Sequence, residues 1–492
     1  MIVSRIRAWA AHHPDRTAIV HNGRAFSYAW FAEAISQARR FFQPIVADAG
    51  EGVAVLLINS LFDSWVMSLA LRAEGMTTIV IQSPQQIAGL ALRDVKLLVA
   101  TAPERSSDVL QPFLPSGARL VSVPGSVYAD DYPDARPIDD AKPIGGHILY
   151  TSGTTGTYKK VLERGEIEDA RNETRARAQG LSARTVHHNL YLGLWTAAGF
   201  KFPGSVWHAG GCIVLDQRPD LYRHLLDHGV NQIFALPGAL ADMIAERDPE
   251  AEPEPGLDVV VSGGFLPANI AMAAKQRLAG RLLAYFNSTE LSVNVLQSMV
   301  ASEEDLIWMR PPAGRVVEIV DDAGLPCSVD QPGELRVLRL PIDSEGYLDD
   351  PEATARMFRD GYFYPGDMAV RRADGRVRIL GRTADVLNVR GQKLPAAPIE
   401  QEIRRILQVN EVCVFAGLDS AGREAVVVAL EADQTPAQAA RNTVAQSLHM
   451  FAAVHFAVVS AFPRTEGGMR KIRRLALRQM VWDAVENQAR TT

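Results

Sequence analysis

The chain has 492 residues, of which 47% are hydrophobic and 22% charged, and its formal net charge is −6. A chain of this length exceeds one ordinary core, so we expect two or more domains, and its composition excludes a mainly disordered protein. The negative net charge excludes a general attraction to nucleic acid or to an anionic membrane.

The cysteine and histidine residues indicate neither a metal site nor a disulfide framework. Cys212, Cys327 and Cys413 lie far apart and form no C-x-x-C pair. His187 and His188 are adjacent rather than spaced as metal ligands, and we expect both at the surface. This cysteine usage fits the reducing cytoplasm best.

Hydropathy along the chain predicts no membrane span. No uninterrupted apolar run approaches the roughly 18 residues that a bilayer requires. The N-terminus also lacks the continuous apolar core of a signal peptide. We therefore expect a cytoplasmic protein.

The N-terminal part of the sequence alternates strand and helix patterns. Apolar residues recur at helical spacing over 31–42 after Ser27, which can cap the helix, and we expect Arg39 and Arg40 on the solvent-exposed face. Residues 53–58 form a continuous apolar run typical of a strand that is covered on both faces. The repeated alternation predicts an α/β fold with a mainly parallel sheet.

Hydroxyl residues, glycines and lysines are concentrated after a short apolar run at 148–150. Glycine lets a backbone approach a ligand closely, Ser152, Thr154 and Thr155 add hydroxyl donors, and Lys159 adds positive charge. The stretch lacks the Gly-Lys-Ser/Thr of a Walker loop. A solvated turn is the alternative explanation of such a cluster. Its position at the end of a predicted strand favours a loop that holds the phosphates of a nucleotide.

The segment Tyr150-Thr-Ser-Gly-Thr-Thr-Gly-Thr-Tyr-Lys-Lys-Val161 resembles a family signature, Thr-Ser-Gly-Ser/Thr-Thr-Gly-x-Pro-Lys-Gly-Val. It is the phosphate loop of the adenylate-forming superfamily, which includes acyl- and aryl-CoA ligases, stand-alone adenylation domains and luciferases. Tyr158 and Lys160 depart from the family's proline and glycine. The resemblance implies that the ATP phosphates are held by Thr151, Ser152, Gly153, Thr154, Thr155, Gly156 and Lys159.

Aromatic residues and glycines are interleaved over 189–214. Core packing is the simplest explanation of any one of these aromatics. In the family the equivalent region lines the carboxylic-acid pocket, often with a Phe-His pair, and here Leu194 and Trp195 stand near the place of the missing histidine. The resemblance implies an acid pocket that includes Trp195, Gly199 and Phe200, and the aromatic residues favour a flat or aromatic acid.

Two further motifs follow, a buried strand that runs into Gly263-Gly264 and the segment Tyr285-Phe-Asn-Ser-Thr-Glu290. The second resembles the family's Tyr-Gly-x-Thr-Glu, although Ser-Thr-Glu taken alone is more often a helix cap. A hard cation prefers carboxylate and phosphate oxygens, which suits a lone glutamate beside a triphosphate. The resemblance implies that Thr289 touches the α-phosphate, that Glu290 holds Mg²⁺ and that the other nucleotide contacts are made by Gly263, Gly264, Phe286 (covering adenine), Asn287 and Ser288.

The stretch from 346 to 400 keeps the order and spacing of the family's later motifs. Singly, its Gly-Arg and Asp-Gly pairs would be ordinary hairpin chemistry. The resemblance implies that Asp367 accepts hydrogen bonds from both ribose hydroxyls, since a carboxylate is an acceptor-only group, and that Arg382 lies near the ribose and phosphates. It places a hinge at Asp385 and a loop at 388–395 that covers the site in a second half-reaction.

The segment Pro463 to Arg474 resembles the motif that carries the family's catalytic lysine, Pro-Arg/Lys-Thr-x-x-Gly-Lys-Ile-x-Arg. The match needs a two-residue insertion, and Lys471 is favoured because the downstream Ile472 and Arg474 keep the pattern. Without the insertion Met469 would occupy the lysine's position. A basic, solvated helix face or a weak polyanion patch is the alternative explanation of this region.

The resemblance implies a large N-terminal domain of layered sheets and helices at 1–384 and a small, mobile α+β C-terminal domain at 385–492. It implies that a carboxylate attacks the α-phosphorus of ATP with Mg²⁺ present, that pyrophosphate leaves and that Lys471 links the acyl and phosphate oxygens. The small domain then turns, and a thiol, most readily that of CoA, takes the acyl group.

Three hypotheses follow for the activity. The leading one is an acid–thiol ligase that makes an acyl- or aryl-CoA. The second is a stand-alone adenylation enzyme that delivers its acyl group to a carrier protein or an amine. The third is a non-catalytic nucleotide-binding relative, which Tyr158, Lys160 and the displaced lysine would suit.

Overall fold

The computed structural model describes residues 2–101, 107–125, 127–128, 144–152, 158–218, 220–389, 392–418, 424–449, 451, 453–464 and 472–491. The chain divides into two compact units. The first consists of Met1–Leu306 with Arg339–Arg356, and the second of Ile307–Leu338 with Met357–Thr492. The predicted domain boundary between residues 384 and 385 lies inside the second unit, and it stays a prediction.

Helices are frequent in the first part of the chain. Those formed by described residues up to 357 are α1 (Ile2–His12), α2 (Tyr28–Ala49), α3 (Leu61–Ala73), α4 (Gln86–Leu90), α5 (Ser107–Leu110), α6 (Glu168–Ala178), α7 (Ala197–His208), α8 (Leu221–Asp227), α9 (Pro237–Ala245), α10 (Ala268–Arg277), α11 (Glu304–Ile307) and α12 (Pro351–Met357), with a 3₁₀ turn at Gln111–Phe113.

The strands of the first unit form two sheets. They are β1 (Thr17–His21), β2 (Arg24–Ser27), β3 (Val53–Leu57), β4 (Thr77–Val80), β5 (Val95–Thr101), β6 (Arg119–Val123), β7 (His147–Ser152), β8 (Tyr158–Glu163), β9 (Val186–Asn189), β10 (Cys212–Val214), β11 (Gln232–Ala235), β12 (Glu254–Val261), β13 (Ala279–Phe286) and β14 (Leu296–Met299). Among the described strands, one sheet has the order β14-β13-β12-β11-β9-β10-β1-β2 and the other β6-β5-β3-β4-β7-β8.

Both sheets are mainly parallel, as the sequence predicts. Strands β3, β4, β5 and β6 pair in parallel, and so do β9 to β13. Antiparallel pairing is seen where β7 meets β8, β1 meets β2 and β13 meets β14. Residues such as Val55 and Leu56 are fully buried because parallel strands are covered on both faces.

In helix α2 the sequence correctly predicted the N-terminal cap and the buried apolar face. The Ser27 side chain accepts a hydrogen bond from the backbone N–H of Trp30 and so caps the helix, while Phe31 and Phe42 are buried, as predicted. The prediction that Arg39 faces solvent is wrong. Arg39 is 5% exposed and pairs with Glu74 at 2.7 Å. An arginine can lie on the buried side of a helix when a carboxylate neutralises its charge.

The main core of the first unit contains residues from both sheets and from the helices that cover them. Ile19 belongs to one sheet and Leu56 to the other, and both share a buried cluster with Phe31, Trp65 and Trp207 of α2, α3 and α7. Sheets and helices are therefore packed as layers around shared apolar side chains.

The second unit combines helices with sheets that are mainly antiparallel, although one strand pair near the C-terminus is parallel. Its described elements are β15 (Val317–Val320), β16 (Gly333–Leu338), β17 (Phe358–Arg359), β18 (Tyr362–Phe363), β19 (Asp367–Arg371), β20 (Val377–Arg382), a 3₁₀ turn (Thr383–Asp385), β21 (Val386–Val389), β22 (Gln392–Pro395), α13 (Ala396–Leu407), β23 (Glu411–Leu418), β24 (Glu424–Glu431), α14 (Gln438–Ser447), β25 (Ala453–Val459) and α15 (Arg474–Thr491). Strand β24 is central to a sheet with β23 and β25, and α13 packs on β23.

None of the helices formed by described residues combines the length and the apolar character that a bilayer crossing requires.

Candidate functional site

The predicted phosphate loop lies between two paired strands. Strands β7 and β8 run antiparallel, and their pairing continues to Ser152 and Tyr158. Thr151 pairs with Lys159 one step further from the loop. The loop therefore starts and ends at one place on the sheet. Gly153, Thr154, Thr155 and Gly156 lie outside the described residues.

The two residues that depart from the family signature are built into the packing. The Tyr158 ring meets the Tyr150 ring edge to face, with the centroids 5.4 Å apart. Lys160 is 5% exposed, and its Nζ donates to the carbonyl oxygens of Leu90 at 3.0 Å and Ala91 at 3.1 Å. Its ammonium also lies 3.5 Å from Asp349. A buried charge of this kind is tolerated because it is paired and hydrogen-bonded.

Glu290 is buried and both of its carboxylate oxygens accept hydrogen bonds. The Tyr347 hydroxyl donates to Oε1 at 2.5 Å, and the Ser288 hydroxyl donates to Oε2. Hydrogen bonds to an ionised acceptor are stronger than neutral ones, so they fix the orientation of the carboxylate. The Glu290 carbonyl in turn accepts a hydrogen bond from the Ser344 backbone N–H at 2.9 Å.

Tyr347 contacts both Glu290 and Lys159, the lysine of the predicted phosphate loop. The Nζ atom of Lys159 lies 5.0 Å from the centroid of the Tyr347 ring, which is within the range of a cation–π contact. The next residue, Leu348, donates its backbone N–H to the Lys160 carbonyl at 2.8 Å, so this segment is attached to β8. The structure thus brings the predicted phosphate ligand and the predicted magnesium ligand to one phenol side chain.

The Gly263-Gly264 turn and the segment after β13 lie at the same edge of a sheet. Strands β12 and β13 are parallel, with Val261 paired to Ala284 near their carboxyl ends. Open α/β sheets bind ligands at that edge. Gly263 has φ 88°, a left-handed value that favours glycine. Of the predicted nucleotide contacts, Phe286 is the last residue of β13, and Asn287, Ser288 and Thr289 follow directly after it.

A buried cluster of charged side chains contacts the turn that contains Glu290 through Lys201. The Glu163 carboxylate lies 3.2 Å from Arg171, 3.1 Å from Arg175 and 3.2 Å from Lys201. Burial raises the pKa of Glu163, but the nearby Lys201, Arg175 and Arg171 outweigh it and leave the pKa below its usual value. Burial lowers the pKa of Lys201 to about 8, although the Glu163 carboxylate opposes this.

The three residues predicted for the acid pocket have different surroundings. Gly199 lines a small pocket of the first unit together with Leu192 and Asn189. A Cβ added to Gly199 would lie 2.0 Å from the Gly193 carbonyl oxygen, so glycine is required there. Trp195 is half-buried and packs against Gly193, whose added Cβ would lie 2.3 Å from the indole.

Phe200 is buried between two aromatic rings. It stacks on His147 at 4.2 Å and on Trp65 at 5.6 Å. The Leu194 carbonyl can only accept a hydrogen bond, so Nε2 of His147 carries the proton, and Thr78 donates to Nδ1. Burial lowers the pKa of His147 to about 3, against the effect of the Leu194 carbonyl, so this imidazole is neutral beside Phe200.

The prediction that His187 and His188 lie at the surface is wrong, because both are fully buried on β9. His187 stacks on Phe202 at 5.0 Å and bonds to the side chains of Gln232 and Asn189. His188 donates from Nδ1 to the Val214 carbonyl. Burial lowers the pKa of each imidazole to about 4, which keeps both neutral.

The second unit pairs two predicted nucleotide ligands with each other. Asp367 begins β19 and Arg382 ends β20, and the two residues are opposite each other in the antiparallel pair. The Arg382 guanidinium lies 3.2 Å from the Asp367 carboxylate and also donates to the Pro365 carbonyl. Asp367 is 4% exposed, whereas the Arg382 side chain is half-exposed.

Asp385, the predicted hinge residue, ends a 3₁₀ turn between β20 and β21. Its carboxylate lies 3.2 Å from Arg474, and Arg474 also pairs with Glu400 at 2.8 Å. Burial raises the pKa of Asp385, although Arg474 opposes this. Lys471 and Met469, the two candidates for the catalytic position, lie outside the described residues.

Metal binding would depend on Glu290 and a ligand rather than on a protein cluster. Among the described residues no group of three or more His, Cys, Asp or Glu side chains could hold a metal ion. An ionised carboxylate has about four lone-pair positions, so the bonds from Ser288 and Tyr347 leave both Glu290 oxygens able to bind a hard cation. The donor set therefore fits Mg²⁺ that is shared with phosphate oxygens.

Comparison with known families decides the family. A family model described as AMP-binding enzyme matches residues 6–348. The chain is an AMP-binding enzyme by family. The matched residues of this AMP-binding enzyme include both sheets of the first unit and the Lys159, Tyr347 and Glu290 cluster. The predicted resemblance to the adenylate-forming superfamily is confirmed at this level.

Solved structures with the same fold cover nearly the whole AMP-binding enzyme. The anthranilate CoA ligase AuaEII in complex with anthranoyl-AMP aligns with a TM-score of 0.82 at 18% identity, covering 98% of each chain. The amide bond synthetase McbA from Marinactinospora thermotolerans aligns with a TM-score of 0.80 at 20% identity, covering 98% of this chain and 100% of that chain. At these identities the likeness shows the fold, and it confirms the predicted fold class.

Sequence relatives share only part of their length with this AMP-binding enzyme. It is 28% identical over 310 residues to 4-hydroxybutyrate–CoA ligase 2 from Metallosphaera sedula, a match that covers 58% of this chain and 54% of that protein. The chain spans about half the length of the curated relatives it matches first.

Sequence reasoning missed several residues around the AMP-binding enzyme's candidate site. Tyr347 stands inside the Gly-Tyr-Leu-Asp motif, but the motif alone does not show that its hydroxyl meets Glu290. Lys201 stands between two phenylalanines in an apolar helix, and a lone charge in such a place is a signal for a buried polar contact. Glu163, Arg171 and Arg175 gave no signal, because charged residues on a strand and a helix are usually solvated.

Proposed function

We propose that this protein uses ATP and Mg²⁺ to activate a carboxylic acid as its acyl-adenylate and then transfers the acyl group to the thiol of CoA. The products would be an acyl- or aryl-CoA, AMP and pyrophosphate. The observation that carries the proposal is the contact of Lys159 and Glu290 with one side chain, Tyr347. A lysine that can bind phosphate and a carboxylate that can bind a metal ion both contact this phenol, which suits a site for a triphosphate with its metal ion.

In the first step the substrate carboxylate attacks the α-phosphorus and pyrophosphate leaves. Alignment of the two reactants and cations that meet the developing charge are sufficient, and no protein nucleophile is needed. The β- and γ-phosphates would be held by Lys159, through its positive charge, and by the hydroxyl donors of Ser152, Thr154 and Thr155. Thr289 would touch the α-phosphate beside Glu290.

Mg²⁺, when bound, would supply positive charge that neutralises the triphosphate. Glu290 would hold it, with its carboxylate oriented by Ser288 and Tyr347. The nucleoside would lie on Gly263, Gly264, Phe286, Asn287 and Ser288. Asp367 would bind the ribose hydroxyls, with Arg382 next to it.

The C-terminal region would serve both steps. Lys471 would link the acyl and phosphate oxygens during adenylate formation. Residues 385–492 would then turn about Asp385 and present the 388–395 segment to the acyl-adenylate. The ion pair of Asp385 with Arg474 supports this hinge, because it links the Asp385 side chain to a residue of the region that would turn.

CoA is the favoured acceptor because two of the similar proteins are named as CoA ligases. An amine or a carrier protein is the second candidate, since McbA is an amide bond synthetase with the same fold. A flat or aromatic acid is proposed as substrate from the aromatic residues at Trp195 and Phe200. The three cysteines are free thiols, which supports a cytoplasmic location.

One experiment separates the hypotheses. The purified chain is incubated with ATP, Mg²⁺ and a panel of aromatic and aliphatic acids, and pyrophosphate exchange and AMP release are measured with and without CoA. In the presence of its acid, an acid–thiol ligase exchanges pyrophosphate into ATP. It also releases AMP in amounts that rise when CoA is added. An adenylation enzyme exchanges pyrophosphate but does not respond to CoA. A binding protein that lacks activity does neither with any acid.

A further inference from the structure

A lysine side chain lies buried under the Glu290 turn. Lys201 belongs to α7, stands between Phe200 and Phe202, and is 9% exposed. Its Nζ donates to the carbonyl oxygen of Thr289 at 2.7 Å and to that of Leu291 at 2.9 Å. These two carbonyls belong to the residues on either side of Glu290.

The ammonium group of Lys201 uses its full donor capacity. A lysine ammonium has three N–H donors, and the third partner is the Glu163 carboxylate at 3.2 Å. Two of the three bonds therefore hold backbone and only one neutralises a charge. An apolar side chain of similar volume could keep the packing but has no N–H donor for either carbonyl.

Neutralisation of Glu163 does not require Lys201. Arg171 and Arg175 both lie within ion-pair distance of the same carboxylate, so three cations surround one anion. Burying a further positive charge costs free energy unless additional hydrogen bonds from that group offset the cost. Those bonds go to the turn that contains Glu290.

Other side chains hold the same turn from its far end. Arg175 donates from Nε to the Ser292 carbonyl at 2.8 Å, and the Ser292 backbone N–H donates to Asp343 at 2.7 Å. The backbone of residues 289–292 is thus attached to α6, α7 and the segment that carries Tyr347.

We infer that Lys201 is a positioning residue for the magnesium–ATP complex, which fixes the backbone on both sides of Glu290 so that its carboxylate stays oriented toward the metal. This inference rests on the proposed function of Glu290. It assigns to α7 a role in nucleotide binding, in addition to the contribution of its Gly199 and Phe200 to the proposed acid pocket. Residues that orient a metal ligand commonly affect metal affinity by one to two orders of magnitude.

The test compares Lys201→Met with Ser205→Ala in the full chain. The methionine keeps the apolar stem and removes the donors. Ser205 is a matched control because its hydroxyl is buried in the same helix and bonds to the Lys201 carbonyl and to Asn172, not to the turn. The first readout is hydrogen exchange of the backbone amides of residues 286–292, which does not depend on activity. The second is the Mg²⁺ and ATP concentration at half-maximal pyrophosphate exchange.

Lys201→Met should speed amide exchange in this segment and raise the half-maximal Mg²⁺–ATP concentration by roughly tenfold, with a smaller change in the maximal rate. Ser205→Ala should change neither. Equal exchange and equal half-maximal concentration in Lys201→Met and the wild type would overturn the inference. If Lys201→Met does not fold, Lys201→Gln is measured, and its two remaining N–H donors should give an intermediate shift.

Failure of the proposed function gives a different result. If the wild-type chain exchanges no pyrophosphate with any acid, the proposed activity is wrong, while amide exchange still reports whether Lys201 holds the turn.

Discussion

The hydroxyl of Tyr347 donates to Oε1 of Glu290 at 2.5 Å, while Lys159 lies against the same ring with its Nζ 5.0 Å from the centroid. One phenol therefore contacts residues from two motifs that are 131 positions apart in the chain, 159 and 290. Any change in the position of Tyr347 is expected to affect both.

Tyr347→Phe should weaken the use of Mg²⁺–ATP without disturbing the contact of the ring with Lys159. The variant removes only the donor to the Glu290 carboxylate, a loss of about 1.5 kcal/mol or roughly tenfold in affinity. Titration of Mg²⁺ in the pyrophosphate exchange assay measures this effect. Tyr362→Phe is the control, because it also removes a tyrosine hydroxyl that donates to a glutamate, Glu318, but in the other unit. An unchanged Mg²⁺ requirement in Tyr347→Phe would contradict the role given to this bond.

Lys160→Ala should destabilise the first unit and also shift the segment that carries Tyr347. The change leaves the Leu90 and Ala91 carbonyls without their donor and Asp349 without its cation, which we expect to lower the free energy of unfolding by about 2 to 4 kcal/mol. Urea unfolding measures the loss. Lys96→Ala, which breaks the exposed pair with Asp94, should cost about 0.5 kcal/mol or less. Comparable losses in the two variants would refute the structural role of Lys160.

The buried histidines predict acid sensitivity. Burial lowers the pKa of His147 to about 3 and the pKa values of His187 and His188 to about 4, from the ordinary 6.5. Between pH 6.5 and 4 the unfolded chain binds more protons at these sites than the folded chain, so stability rises with pH in this window and falls on acidification. Each histidine should contribute about 1.4 kcal/mol for each pH unit below 6.5.

Urea unfolding at several pH values between 7 and 5 tests the acid sensitivity. His187→Gln should reduce the dependence of the unfolding free energy on pH by the share of one histidine. A variant with the same pH dependence as the wild type would show that His187 does not titrate as proposed.

Asp367→Asn should remove the ability to distinguish ATP from 2′-deoxyATP. A carboxylate accepts from both ribose hydroxyls, and an amide presents one donor where an acceptor is needed, so ATP binding should weaken roughly tenfold. Competition between the two nucleotides measures the discrimination. Asp374→Asn, an exposed carboxylate paired with Arg376 in the same unit, should leave it intact. Retained discrimination in Asp367→Asn would place the ribose elsewhere.

Lys471→Ala should abolish adenylate formation but spare thioester synthesis from a supplied acyl-adenylate, since the lysine is proposed to act only in the first step. Pyrophosphate exchange and CoA transfer are measured separately. Met469→Ala is the matched variant at the alternative position. Full exchange in Lys471→Ala combined with loss in Met469→Ala would move the catalytic position to residue 469.

The sequence was sufficient for the elements whose signals are local. The Ser27 cap, the apolar run of β3 and the alternation of strand and helix all depend on neighbouring residues, and the structure confirms them. Burial of charged and polar side chains was not predictable in the same way. Arg39 needs Glu74, and His187 needs Gln232, partners that only the folded chain brings close.

The candidate site shows the same difference. Motif order identified Lys159 and Glu290, because each stands at a fixed place in its own short signature. The bond between Tyr347 and Glu290 and the hold of Lys201 on the backbone join segments that are 57 and about 90 residues apart. No periodicity or spacing rule links residues at such separations, so these contacts emerge only from the packing of the sheets and helices.

The return of residues 339–356 to the first unit limits how the chain can be dissected. A truncated clone that stops at Leu306 would be made without the phenol that anchors the Glu290 carboxylate. Domain swaps with homologous genes would need three crossover points rather than one, the first after Leu306 and the others at the two ends of the returning segment, to transfer Glu290 and Tyr347 together within an intact first unit.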